Sequence, residues 1–157
     1  MLNYIHSTDP DFSGMLRFLT DELFAAERKG ERVRILGHVL SGWTGAEALD
    51  KPANLFFQIV SRFTPHTIAA IFFGHTHQDH FSVFYRAQSG ASRDISRHTR
   101  DARTVSFVGP SVTPLTNVNP SFRVYQVDPI TVDVFDYDQY YTPVDEFDSL
   151  QAGPIWR

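Results

Sequence analysis

The sequence predicts an α/β fold, on three observations. Two early segments repeat apolar residues at helical spacing. Short apolar runs of strand length stand between and after them. The order is helix, strand, helix, strand, then a series of strands, which layers helices over one face of a sheet that the later strands form or extend.

Asp9-Pro10-Asp11 reads as a turn that opens the first helix. Met15, Leu16, Leu19, Leu23 and Ala26 follow at helical spacing, with Asp11 or Ser13 as cap and Gly30 as stop. Val33 to Leu36 is the first strand, and it ends at Gly37-His38. Ser41-Gly42 and Thr44-Gly45 make a flexible loop. Pro52 suits the first turn of a second helix, which Leu55, Phe56, Ile59, Val60 and Phe63 make amphipathic. The next strand, Thr67 to Phe73, stops at Gly74-His75-Thr76-His77. Phe81 to Tyr85 is a return strand, and Gln88 to Arg103 a solvated polar loop. Three β-rich runs close the domain: Thr104 to Val108, Phe122 to Asp128 and Thr131 to Phe135. Loops around Pro110, Pro114 and Pro120 separate the first two. One domain over 1–142 and a loose tail over 143–157 complete the reading.

Composition narrows the function. With 42% apolar residues over 157 positions, the chain is long and apolar enough for a real core. A formal net charge of −4 gives a nucleic-acid partner no electrostatic support. Cysteine is absent, which excludes disulfides and thiolate metal sites. The longest apolar run, Ile68 to Phe73, is far too short for a transmembrane segment, and no signal peptide is visible at Met1 to His6. No Gly-x-Ser-x-Gly elbow occurs, so a nucleophilic serine hydrolase finds no support.

The chemistry lies in the histidines. His75 and His77 stand two apart at the end of an apolar strand. A chain that leaves the strand still extended points both imidazoles the same way. Gly74 removes a Cβ where backbone passes close to an ion. Gly37-His38 repeats the strand–Gly–His element, so three imidazoles are expected to converge on divalent cations. Asp79 is a candidate acceptor that orients a ligand histidine, and His80 a candidate neighbour to the site. Trp43, in the loop after His38, reads as packing at the loop base, with a substrate-loop role as the alternative. His6, His66 and His98 read as surface residues. Ligation needs neutral imidazole, so zinc affinity should fall below roughly pH 6, where histidine takes up a proton.

Gly37-His38 followed by Gly74-His75-Thr76-His77 resembles the C-terminal half of the calcineurin-like metallophosphoesterases. The stretches from Arg34 to Val39, Phe72 to Phe81, Gly109 to Pro114 and Asn119 to Asp128 resemble the acid sphingomyelinase-like branch, its fungal forms above all. The resemblance runs from about Leu2 to Tyr141. It implies part of an α-β-β-α sandwich: the C-terminal half, a mixed sheet with two covering helices and a sheet face or edge left open. It also implies two zinc ions, His38 and His75 binding one and His77 the other. The family's Asp-x-His, Gly-Asp-x-x-Asp and Gly-Asn-His-Asp/Glu motifs do not occur in this sequence. The dinuclear site is therefore expected to be incomplete here, no catalytic proton donor is identified, and the missing N-terminal half is a possible partner. The implied reaction is phosphodiester hydrolysis on sphingomyelin or a related small or lipid phosphodiester. The alternatives are an inactive remnant and a nucleotide phosphodiesterase. Full-length relatives are expected to be secreted or vacuolar/lysosomal.

Overall fold

Residues 9–41, 50–86, 98–115, 117–145 and 155–157 are described by a computed structural model. The first helix, α1 (Met15–Lys29), starts where Asp11 reaches forward: its carboxylate accepts the N–H groups of Leu16 and Arg17, both at 2.8 Å. It ends at Gly30, whose left-handed φ of 69° lets its N–H reach back to Ala26 and Glu27. The second helix, α2 (Asp50–Phe63), carries Pro52 in its first turn. Leu16 and Leu23 of α1 and Phe56, Val60 and Phe63 of α2 belong to one buried cluster.

That cluster is completed by a four-stranded sheet of β1 (Val33–Leu36), β2 (Ile68–Phe73), β3 (His80–Tyr85) and β4 (Ala102–Val108). The spatial order is β1-β2-β4-β3, with β1, β2 and β4 parallel and β3 antiparallel to β4. Pleating splits the side chains between two faces. Ile35, Ile71, Phe73 and Val108 join the helical core, while Leu36, Phe72 and Phe107 lie in the other phase. The expected mixed α/β layer with two helices is what the chain builds. β1 is an outer strand, and Leu36 is 82% exposed.

The last two strands, β5 (Ser121–Val127) and β6 (Val134–Tyr141), do not extend this sheet but form a separate antiparallel hairpin. Tyr125 carries it against the second sheet face, with ring centroids 4.9 Å from Phe72 and 5.4 Å from Phe107. Arg32, just before β1, pairs with Asp133 at 2.8 Å and donates to the Thr131 carbonyl, so the hairpin turn is tied to the sheet as well.

The final run was expected at Thr131 to Phe135, and here the structure differs. Residues 129–131 are turn, and the strand runs from Val134 to Tyr141. Asp128 accepts the N–H groups of Ile130 and Thr131 at 2.9 and 2.6 Å, and Val132 takes a left-handed φ of 61°. Asp136 and Asp138 hide the true strand from propensity, because cross-strand pairing with β5 overrides their preference. Of the tail expected to be loose, residues 143–145 and 155–157 are described, and the Val144 N–H donates to Asn119 Oδ1 at 3.1 Å. Arg157 and Tyr141 exchange backbone hydrogen bonds at 2.9 and 3.0 Å, and Trp156 lies edge-on to Phe122.

These turn hydrogen bonds hold the Asp128 carboxyl below the usual aspartate range, the Thr131 N–H contributing most. A depressed folded value adds stability above the unfolded one, and that stability is lost as pH falls through the folded value. Asp128→Ala should therefore melt earlier than wild type at neutral pH, with the difference narrowing in strong acid. Calorimetric scans from pH 7 to pH 2 check this, and an equal gap throughout would contradict it.

Candidate functional site

Three strand ends meet at one edge of the sheet, each closed by a glycine. Gly37 follows β1, Gly74 follows β2 and Gly109 follows β4. They are laced together by backbone hydrogen bonds. Gly37 donates to Phe72, Gly74 to His38 and Gly109 to Phe73, all between 2.8 and 2.9 Å. This is the C-terminal edge of parallel strands, where open α/β sheets place their ligands.

At Gly37 the constraint is close approach. A Cβ there would stand 2.8 Å from Cε1 of Phe73, a ring 8% exposed in the core. Gly37→Ala must push that ring aside, at a cost of about 1–3 kcal/mol by the usual penalty of overpacking. Urea unfolding checks the figure, and an unchanged midpoint would refute it. At Gly74 an added Cβ would meet Nδ1 of His38 at 3.7 Å, an ordinary contact.

The histidines do not leave their strand extended, as the spacing had implied. β2 stops at Phe73, and His75 and His77 take left-handed φ values of 76° and 60°. The chain turns sharply instead, with Thr76 N–H donating to the Gly74 carbonyl at 3.0 Å. That turn brings His75 against His38 of the neighbouring strand end, with ring centroids 5.2 Å apart and planes at 78°. The Leu36–Phe72 register sets this meeting, because the two strands end within one residue of each other.

His38, His75 and His77 line one open groove of about 750 Å³, which also takes in Arg34, Ser111 and Arg123. Among the described residues, however, no group of three histidine, cysteine, aspartate or glutamate side chains could hold a metal ion. The expected convergence is thus partial. Two imidazoles meet edge-on, and the third shares the groove, its buried Nδ1 without a hydrogen-bond partner among the described residues. Imidazole suits zinc in kind, but a catalytic zinc site takes three protein ligands. The described donors therefore do not complete one.

Asp79 was expected to orient a ligand histidine. Its carboxylate forms an ion pair with Arg123 of β5. The guanidinium also donates from Nε to Gln139 Oε1 at 3.1 Å and from Nη1 to Tyr125 Oη at 3.2 Å, and lies 4.5 Å from the Tyr137 ring centroid. His80 opens β3 opposite Val108, half-buried at the sheet edge. His66 and His98 are exposed, in keeping with surface residues. His6 and Trp43 lie outside the described residues.

Arg123 was missed as a site residue. A signal existed: along Ser-Phe-Arg-Val-Tyr-Gln-Val, Arg123 falls in phase with Tyr125 and Val127, on the more buried side, while Phe122 and Val124 are exposed. A charge on the inward phase of a strand needs a partner.

No protein-family model matches the chain. It is similar to sphingomyelin phosphodiesterase 1 of Caenorhabditis elegans, 34% identical over 155 residues. Sphingomyelin phosphodiesterase of Homo sapiens is 36% identical over 157 residues, and sphingomyelin phosphodiesterase B of Dictyostelium discoideum 37% over 151. These alignments take in 98%, 98% and 96% of this chain but only 25%, 22% and 22% of the relatives. The chain spans about a quarter of the length of these curated relatives, so it matches one part of a larger enzyme. None of the three relatives is fungal.

Proposed function

We infer that this chain is the histidine-bearing part of a metal-dependent phosphodiester hydrolase of the sphingomyelin phosphodiesterase type. The substrate class is sphingomyelin, cleaved to ceramide and phosphocholine, or a related lipid phosphodiester. The observation that carries the reading is the pair of imidazoles at 5.2 Å, His38 against His75, at the C-terminal edge of the parallel strands β1, β2 and β4. His77 in the same groove and the named relatives support it. On this reading zinc is the ion, with His38 and His75 serving one ion and His77 a second. The chemistry a bound divalent pair supplies is activation of water and neutralisation of phosphate charge. The groove residues receive the phosphodiester, and ligands beyond these three imidazoles come from outside the described residues. The fungal form of the branch rests on the flanking stretches alone, and a secreted or vacuolar/lysosomal setting on the kinship.

One observation favours a second reading. The lack of a three-donor group among the described residues is what an inactive remnant would show. Zinc stoichiometry, measured by dialysis and elemental analysis alongside hydrolysis of a chromogenic phosphodiester, separates the two. Bound zinc and turnover that both disappear in His75→Ala and His77→Ala support the hydrolase. Absence of zinc binding and turnover in the wild-type chain at every zinc concentration supports the remnant.

A further inference from the structure

The geometry points to Arg123 as a positioning residue that holds the histidine loop through Asp79. This inference rests on the proposed function, because the imidazoles it concerns are those assigned there to metal.

The loop from Gly74 to Asp79 needs outside support. His75 and His77 sit at φ values of 76° and 60°, a region that few non-glycine residues occupy although histidine enters it more readily than most, and two such residues within three positions make a tight, irregular loop. Among the described residues, the loop's backbone hydrogen bonds, Gly74 N–H to the His38 carbonyl and Thr76 N–H to the Gly74 carbonyl, lie at its start. Its far end is gripped by the Asp79–Arg123 ion pair.

Arg123 is well placed to grip. Its side chain is only 3% exposed. Gln139 takes its Nε, Tyr125 takes Nη1, and Tyr137 flanks the guanidinium. All three partners belong to the β5–β6 hairpin. The loop is therefore pinned at one end to the sheet it leaves and at the other to the hairpin across the groove. His75, Thr76 and His77 lie between the two fixed points, and Arg123 lines the same groove as His75 and His77. Loss of the second point frees the left-handed residues to relax, which moves the rings. A planar, forked guanidinium meets these partners together, whereas a lysine ammonium meets only some of them.

A brace with no role in the site would affect stability alone, so the test reads the rings directly. Imidazole Cε1–H signals are recorded by NMR for wild type, Arg123→Met, Arg123→Lys and Arg123→Gln, and each protein is titrated with zinc alone. In Arg123→Met the His75 and His77 signals should shift or broaden while that of exposed His66 stays. Zinc affinity should fall by about tenfold, the usual cost of losing a group that orients a metal ligand. Arg123→Lys should recover part of both effects. If Arg123→Met does not fold, Arg123→Gln carries the same comparison, because it removes the charge while keeping a hydrogen-bond donor for Gln139 or Tyr125. Unmoved His75 and His77 signals in a folded variant overturn the proposal. A wild-type chain that binds no zinc defeats the proposed function instead, and the ring signals still decide the role of Arg123.

Discussion

Replacing Phe63 by alanine is expected to destabilise the protein by about 4 kcal/mol, within the range for deleting a buried aromatic ring. Phe63 ends α2 and is 2% exposed. Its ring meets that of Phe24 from α1 edge-on at 5.0 Å, so it joins both helices where they cover the sheet. The site is walled by two helices and a sheet, and such walls close only partly over a cavity. A loss of this size is a large part of the 5–15 kcal/mol typical of a domain. Urea unfolding should show a lower midpoint with an unchanged slope. A cost below about 1 kcal/mol would mean that the helices can close over the gap, and would contradict the packing described.

Asp79→Leu is expected to cost about 3 kcal/mol, and Arg123→Met clearly less. The asymmetry follows from exposure. The Arg123 side chain is 3% exposed and that of Asp79 38%. Without Asp79, a guanidinium charge stays buried with only neutral partners, Gln139 and Tyr125. Without Arg123, the carboxylate is open enough for water to replace its partner. The double variant should recover part of the Asp79→Leu loss, because no buried charge then remains. A double-mutant cycle in urea measures all three, and equal costs for the two single variants would refute the argument.

Much of this was legible in the residues themselves. The spacing of Leu16, Leu23 and Ala26 marks α1, and Gly30 ends it in the left-handed conformation that glycine adopts without strain. The apolar run before Gly74 is β2, and it is buried as its composition requires. Gly37-His38 and Gly74-His75 mark strand ends that become neighbours. Other features were not legible for physical reasons. β6 contains Asp136 and Asp138, which favour no strand until β5 pairs with them. The spacing of His75 and His77 invited an extended exit, but both residues turn left-handed in a loop anchored from two sides.

What the sequence determined by itself was local: where helices and strands lie, and which residue types can bind a cation. Those properties depend on neighbours within a few positions, and periodicity records them. The tertiary structure alone decided that β5 and β6 leave the main sheet, that Asp79 answers Arg123, and that His38 meets His75 while His77 joins no group of three among the described residues. Each of these depends on contacts between residues distant in the chain. Such contacts are set by strand register and by how layers pack, and no local pattern encodes either.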